Sequence, residues 1–127
     1  MTKLSKTTPI FRSFDEQKAR EFYTEYLDFS VVFEHRFGDN MPLYMGLTWD
    51  QVTLHLSEHH GDCCPGSAVR ISVDDVDGLH ESLKAKNYRY ANPGVQDQPW
   101  GSREMSIQDP FGNRITFFQD TSDQAES

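Results

Sequence analysis

"AVRISVDDVDGLHESL", residues 68–83, predicts a strand that leads directly into a capped helix. Apolar and polar residues alternate over 68–73, which is the period of a half-buried strand. Asp74 and Asp75 follow at the point where a helix N-cap belongs. The next apolar residues recur at helical spacing, and they are Val76, Leu79 and Leu83. A strand is therefore followed at once by an amphipathic helix.

The same layout occurs in the first half of the chain. Residues 7–14 predict a strand, Asp15 is the expected N-cap, and residues 16–27 predict a helix. Its apolar face comprises Ala19, Phe22, Tyr23, Tyr26 and Leu27. Asp15 lies 60 residues before Asp75, so the sequence contains a duplicated unit.

Each unit continues into further strands, and a loop at 58–67 separates the two units. The first unit continues with strands at 29–37, 42–48 and 51–57. In the second unit we expect a loop at 93–101, a strand at 103–108, a turn at 109–113 and a strand at 114–119. The sequence thus predicts one α+β domain over 1–127, built from paired βαβββ modules at about 7–57 and 68–119. Two such modules would form a curved mixed sheet with a concave cleft, and the helices would cover its outer face.

Composition excludes several classes of protein. Only 36% of the 127 residues are apolar, and no run approaches the roughly 18 apolar residues that a membrane span needs. A net charge of −8 disfavours nucleic acid and favours a cationic ligand, although solubility alone also explains it. The polar N-terminus does not resemble a signal peptide, and adjacent Cys63 and Cys64 fit a reducing compartment. We therefore expect a cytoplasmic protein.

Four segments carry a resemblance to a known superfamily: FDEQKAREFYTEYLDFSVVFEHRF (14–37), VTLHLSEH (52–59), VDDVDGLHESL (73–83) and QPWGSREMSIQDPFGNRITFF (98–118). In these segments and in its paired modules, the chain resembles the glyoxalase/bleomycin-resistance, or vicinal oxygen chelate, superfamily. The superfamily includes glyoxalase I, fosfomycin-resistance enzymes, extradiol dioxygenases and bleomycin-resistance proteins. The Gln-Pro-Trp-Gly-x-Arg-Glu run is similar to the bleomycin-resistance branch in particular.

The resemblance implies four cleft-facing positions at which metal-using members hold their ion. In this sequence these positions fall at about Thr8, His55, Ala68 and Thr116. A stable metal site needs about three protein ligands, and among these four residues only the histidine is a good metal ligand. We therefore expect no metal, no other cofactor and no catalytic residues, and hence a binding protein. The alternative is a metal-dependent enzyme of the same superfamily, of the glyoxalase or dioxygenase type.

A second metal hypothesis rests on the cluster His55, His59, His60, Cys63 and Cys64. His55 is predicted on a strand and the other four residues in a loop, so their spacing implies no regular ligand geometry. Adjacent cysteines also differ from the Cys-x-x-Cys separation of common zinc sites. The alternative interpretation is a polar loop beside a cleft-lining His55.

For the ligand site, the resemblance implies a groove at a dimer interface in which aromatic side chains stack on a flat drug. The matching positions are Phe33, Phe37 and Trp100, with Ser57 and His55 as polar neighbours. Trp100 lies in a loop with Pro and Gly on either side, which offers little burial. The predicted function is sequestration of a flat, cationic glycopeptide-type antibiotic such as bleomycin, without chemistry. The resemblance further implies a homodimer in which Met1–Pro9 crosses to the partner.

Three arginines favour a different ligand. By strand parity Arg12, Arg70 and Arg114 point to the same face as Thr8, Ala68 and Thr116. Guanidinium groups in a cleft would attract a carboxylate or phosphate and repel a cation. They could instead pair with acidic residues such as Glu104. A binder of an anionic metabolite is therefore a further alternative.

Overall fold

The computed structural model describes residues 2–121. Two α-helices and eight strands follow one another in the repeated order βαβββ, which confirms the predicted α+β class and the duplication. In chain order they are β1 (Ile10–Arg12), α1 (Glu16–Arg20), β2 (Ser30–His35), β3 (Tyr44–Trp49), β4 (Val52–Ser57), β5 (Ala68–Ser72), α2 (Val76–Lys84), β6 (Val95–Gln98), β7 (Ser102–Gln108) and β8 (Arg114–Asp120). Within the described residues, no helix has the length and apolar character to cross a membrane.

The strands form two four-stranded mixed sheets of the same design. The first sheet has the order β1-β4-β3-β2 and the second has the order β5-β8-β7-β6. In each sheet the first strand of the module pairs in parallel with the last strand, and the other pairs are antiparallel. The two modules therefore present equivalent strands at equivalent places.

Both helices begin at the predicted caps. The side chain of Asp15 accepts from Lys18 N at 3.0 Å, and that of Asp75 accepts from Gly78 N at 3.0 Å. The first helix changes type after α1, because Glu21–Tyr26 is a π-helix. Its aromatic residues nevertheless keep the predicted inward direction.

One predicted element was wrong. We expected a loop over 93–101, but Val95–Gln98 forms β6 at the edge of the second sheet. Only Val95 is apolar in this strand, so the sequence shows no alternation. The strand is held by its pairing with β7, which includes Gln98 opposite Ser102. Pairing along the backbone has here outweighed a polar sequence.

A single hydrophobic core lies between the helices and one face of each sheet. The largest of its fully buried side chains are Phe11, Phe22, Tyr23, Leu27, Met45, Leu47, Leu54, Leu56, Leu83, Met105, Ile115 and Phe117. Because side chains alternate along a strand, the neighbouring residues point to the opposite face, which we call the open face of each sheet. His55 and Arg70 lie on these open faces.

The turn after β7 ties the second module to the first. Asp109 is buried, and its carboxylate accepts from the Tyr23 hydroxyl at 2.6 Å and from the Asn113 side chain at 2.9 Å. Asn113 also donates to the backbone oxygen of Arg12 at 2.8 Å. These bonds fix β1, and with it the first sheet, against the second module.

Candidate functional site

Three rings form an aromatic cluster on the open face of the first sheet. Phe33 and Tyr44 lie nearly parallel with centroids 6.1 Å apart, and His55 meets each of them edge-on at 5.2 and 5.3 Å. The register explains the cluster, since Gly46 pairs with both Phe33 and His55. Phe33 is 41% exposed, so the cluster presents an apolar surface to solvent.

Gly46 determines where the Phe33 ring lies. A Cβ on Gly46 would overlap Cε2 of that ring, far inside van der Waals contact. The ring therefore rests directly on the backbone of β3, and a side chain at position 46 would displace it.

His55 is held in this cluster as a neutral ring. Its Nδ1 pairs with the Tyr44 hydroxyl at 2.8 Å, and burial lowers the pKa of His55. The aromatic cluster consequently carries no charge of its own near neutral pH. Sequence reasoning missed Tyr44, although it precedes the buried Met45 on β3 and alternation alone directs it to the open face.

Phe37 lies at the end of this face, next to a cavity of about 230 Å³ lined by His35, Phe37, Tyr44, His59 and Asp62. Its ring is 77% exposed and meets the rings of His35 and His59 edge-on at 4.6 and 6.1 Å. Phe33 and Phe37 are thus brought to the same face of one sheet.

Ser57 has a structural role that the sequence did not indicate. It is fully buried, and its hydroxyl donates to Asp62 at 2.6 Å while accepting from His59 N at 3.1 Å. Both bonds hold the loop that follows β4. The structure therefore does not bring Ser57 to the surface that a ligand would contact.

Trp100 lies beside the second sheet. It is the middle residue of the three-residue loop Pro99–Gly101 between β6 and β7, and its ring is 62% exposed. Gly101 adopts a φ of 87°, which suits the last position of such a loop. The indole nitrogen donates to Glu104 at 3.2 Å. Trp100 is therefore both exposed and anchored.

The three arginines differ in their partners. Arg70 forms two hydrogen bonds with Glu104, at 2.7 and 3.3 Å, which is the alternative that the sequence left open for these arginines. Arg12 and Arg114 form no ion pair among the residues that the structure describes. The Nε atom of Arg12 is buried without an acceptor, and its guanidinium lies 4.7 Å from the centroid of the Phe14 ring.

The residues at the four metal-ligand positions make a poor donor set. Ala68 has no donor atom, and the Thr116 hydroxyl already shares a hydrogen bond of 2.8 Å with Ser106. Over residues 2–121, no three His, Cys, Asp or Glu side chains come together as metal ligands, and this includes the loop cluster around Cys63 and Cys64. The donors present do not fit the ion that metal-using members of the superfamily hold.

Comparison with known proteins gives consistent matches over nearly the whole chain. A family model described as "Glyoxalase superfamily protein" matches residues 2–124. Bleomycin resistance proteins of Geobacillus stearothermophilus and Staphylococcus aureus are 28% identical over 123 residues, covering 83% of this chain and 89% of theirs.

Two solved structures share the fold. The bleomycin-binding protein of the bleomycin producer Streptomyces verticillus, complexed with copper(II)-bleomycin, is 27% identical with a TM-score of 0.70, covering 92% of this chain and 97% of that one. A glyoxalase-related enzyme of Clostridium phytofermentans has a TM-score of 0.75 at 20% identity, covering 94% and 97%.

Proposed function

The chain belongs to the glyoxalase superfamily, and from that premise we propose that it binds bleomycin or a related flat, cationic glycopeptide antibiotic. Binding would confer resistance by sequestration. The support from relatives is specific, because the curated proteins that match are bleomycin resistance proteins and one similar structure contains copper(II)-bleomycin.

The exposed aromatic surface carries this proposal. Phe33, Phe37 and Trp100 are 41%, 77% and 62% exposed, although large apolar side chains are costly to leave in water. All three lie on or beside the open faces of the sheets rather than scattered over the surface. Flat rings stack on such side chains, and each cation–π or stacking contact contributes on the order of 1–2 kcal/mol.

We propose that binding occurs without chemistry. Enzymes of the superfamily that use a metal rely on its open coordination position to polarise the substrate. Thr8, Ala68 and Thr116 supply no good ligand beside His55, so the set lacks the three donors that a stable site needs. The same residues therefore support a binding protein.

A complete groove requires a second subunit in this proposal. Phe33 lies in the first sheet and Phe37 just beyond its strand β2, whereas Trp100 lies in a loop of the second sheet. No ring contact joins Trp100 to either phenylalanine among the described residues. Pairing of two chains would place the phenylalanine wall of one subunit opposite Trp100 of the other. Residues 2–7 are exposed and available to cross to a partner, whereas the Pro9 oxygen accepts from His55 N of its own chain at 3.0 Å. Such a homodimer would act in the cytoplasm.

Calorimetric titration with metal-free and copper(II)-loaded bleomycin tests the proposal. We expect saturable binding at about micromolar or lower concentration, since two or three aromatic contacts together with attraction between the acidic protein and a cationic drug can supply that affinity. Tyr90→Ala serves as a control variant and should bind the drug as the wild type does. Tyr90 is 69% exposed but lies away from the open faces, in a groove beside α1. Absence of binding by either form of the drug to the wild-type protein would refute the proposal.

Arg12 favours a second candidate function. An arginine on an open face with no ion-pair partner in the described chain can bind a carboxylate or phosphate. Titration with a panel of small carboxylates and phosphate tests this alternative. Arg12→Met should abolish such binding, and Arg89→Met should leave it unchanged because Arg89 lies beside Tyr90. Failure of every anion to bind would remove this candidate.

A further inference from the structure

Glu104 forms hydrogen bonds with both Trp100 and Arg70 at the second sheet. Its carboxylate is 8% exposed and accepts from Trp100 at 3.2 Å, from Ser102 at 2.9 Å and from Arg70 at 2.7 and 3.3 Å. We propose that Glu104 is a positioning residue that fixes the Trp100 ring in the orientation in which it contacts the ligand. The proposal rests on the binding function described above.

The site requires a carboxylate. Every hydrogen bond that it receives comes from an N–H or O–H donor, so the residue must act purely as an acceptor. The hydrogen bonds from Arg70 lower the pKa of Glu104, and those from Ser102 and Trp100 act in the same direction. An amide at position 104 would direct two N–H groups towards these donors.

Trp100 needs such an anchor because, within residues 2–121, its side chain has no hydrogen bond other than that to Glu104 and no aromatic ring packed against it. The ring is mostly exposed, and its loop contains only Pro99, Trp100 and Gly101 between β6 and β7. A side chain that is ordered before binding loses less entropy when the ligand arrives. The Glu104 carboxylate supplies this order through the indole N–H, which phenylalanine lacks.

Glu104 has a second effect that the experiment must separate from positioning. By pairing with Arg70, it neutralises a guanidinium on the open face, where a free positive charge would repel a cationic ligand. Removing Glu104 alone would therefore weaken binding through charge even if Trp100 did not move.

A double-mutant cycle between Glu104→Ala and Trp100→Phe separates these two effects. Affinity for copper(II)-bleomycin is measured by calorimetry for the wild type, both single variants and the double variant. The side-chain N–H resonance of Trp100 is recorded in parallel by NMR, and it is assigned by its loss in Trp100→Phe, since the chain has two tryptophans. Glu104→Gln repeats the measurement with an isosteric side chain in case the alanine variant fails to fold.

Asp77→Ala is the matched control. Asp77 also forms a carboxylate–arginine pair, with hydrogen bonds of 2.9 and 3.1 Å from Arg103. Arg103 lies one residue before Glu104 on β7. It contacts neither Trp100 nor Arg70 through any hydrogen bond that the structure describes. We expect Asp77→Ala to leave both the affinity and the indole resonance unchanged.

If Glu104 positions Trp100, Glu104→Ala weakens binding about tenfold more in the wild-type background than in the Trp100→Phe background, as loss of a hydrogen bond to a charged group would do. The indole resonance also shifts towards that of a solvent-exposed tryptophan. An equal loss in both backgrounds, or an unchanged resonance, overturns the proposal. If the wild-type protein binds no bleomycin, the proposed function has failed, and the resonance still decides whether Glu104 orients the ring.

Discussion

The two tryptophans of the chain are held by different contacts. Substitution of one should therefore change ligand binding, and substitution of the other should change stability. Trp49 packs against the core rings of Phe29 and Phe117, with centroids 5.4 and 6.1 Å away. Trp100 is 62% exposed and is held by one hydrogen bond to Glu104. Truncation of each should therefore affect a different measurement.

We predict that Trp100→Ala weakens ligand binding by about 1–3 kcal/mol, the range for an aromatic anchor. Its free energy of unfolding should change by less than about 0.5 kcal/mol, because little surface is buried there. Trp49→Ala, the control, should destabilise the fold by roughly 3–5 kcal/mol. Calorimetry and urea unfolding measure the two effects. A large loss of stability in Trp100→Ala would show that the ring belongs to the core.

His55 should make stability depend on pH. Because burial lowers its pKa from the ordinary value of 6.5, the unfolded chain takes up a proton at higher pH than the folded protein does. The contribution of neutral His55 is therefore complete above about pH 6.5 and is lost as the pH falls through the folded pKa. We predict that His55→Gln removes this part of the pH dependence of the unfolding free energy. His60→Gln, in the exposed loop after β4, is the control, and an identical slope in both variants would contradict the prediction.

Sequence reasoning predicted some of the site residues better than others for a physical reason. Pro and Gly on either side of Trp100 indicate an exposed loop, and the structure has the ring exposed. Its contact with a ligand stays a prediction. Ser57 was expected to line the cleft, but it is buried under the loop that its own hydroxyl holds. Alternation along a strand gives the face of a residue and does not show which loop covers it.

At the scale of elements, the contact between β2 and β3 depends on the absence of a side chain at Gly46. We predict that Gly46→Ala pushes the Phe33 ring off β3 and destabilises the protein by about 1–3 kcal/mol, as overpacking does. Gly94→Ala is the matched control, since a Cβ there would meet no atom within 4 Å. Urea unfolding measures the cost, and the ring resonances of Phe33 report its displacement. Equal stability of the two variants would show that Phe33 does not depend on Gly46.

The elements themselves were predictable wherever pattern and capping agreed. Asp15 and Asp75 mark both helix starts, and Val52 to Ser57 alternates as β4 does in the structure. β6 was missed because its sequence, VQDQ, has a single apolar residue. The three-residue loop from Pro99 to Gly101 was the available signal, since Pro followed by Gly at this spacing closes a hairpin and requires a strand on each side.

For the whole molecule, the sequence predicts two equivalent modules but not how they are joined to each other. The modules are joined by buried bonds such as Tyr23 with Asp109, and by Lys86, which donates to the Tyr26 oxygen at 2.8 Å and to Asp28 at 2.9 Å. These partners lie 86, 60 and 58 residues apart, and no local pattern reveals contacts at that separation. Strand parity likewise left Arg70 either free or paired, and only the packed structure brings Glu104 to it.

We predict a homodimer in which each groove takes its phenylalanine wall from one subunit and Trp100 from the other. Light scattering should report two chains per particle at micromolar concentration, and deletion of residues 2–7 should weaken the dimer if this arm crosses to the partner. A monomeric wild-type protein would contradict the prediction.

Mixing two weakly binding variants tests directly whether each groove is shared between subunits. Phe33→Ala/Phe37→Ala damages every phenylalanine wall, and Trp100→Ala damages every opposing wall, so each homodimer should bind weakly. In a mixed dimer, the phenylalanine wall of the Trp100→Ala subunit is intact and faces the intact Trp100 of the Phe33→Ala/Phe37→Ala subunit. One of the two grooves is therefore fully restored. The mixture should therefore regain binding with wild-type affinity at no more than half the sites. If both walls came from the same subunit, every groove of the mixed dimer would keep one defect and no binding would return.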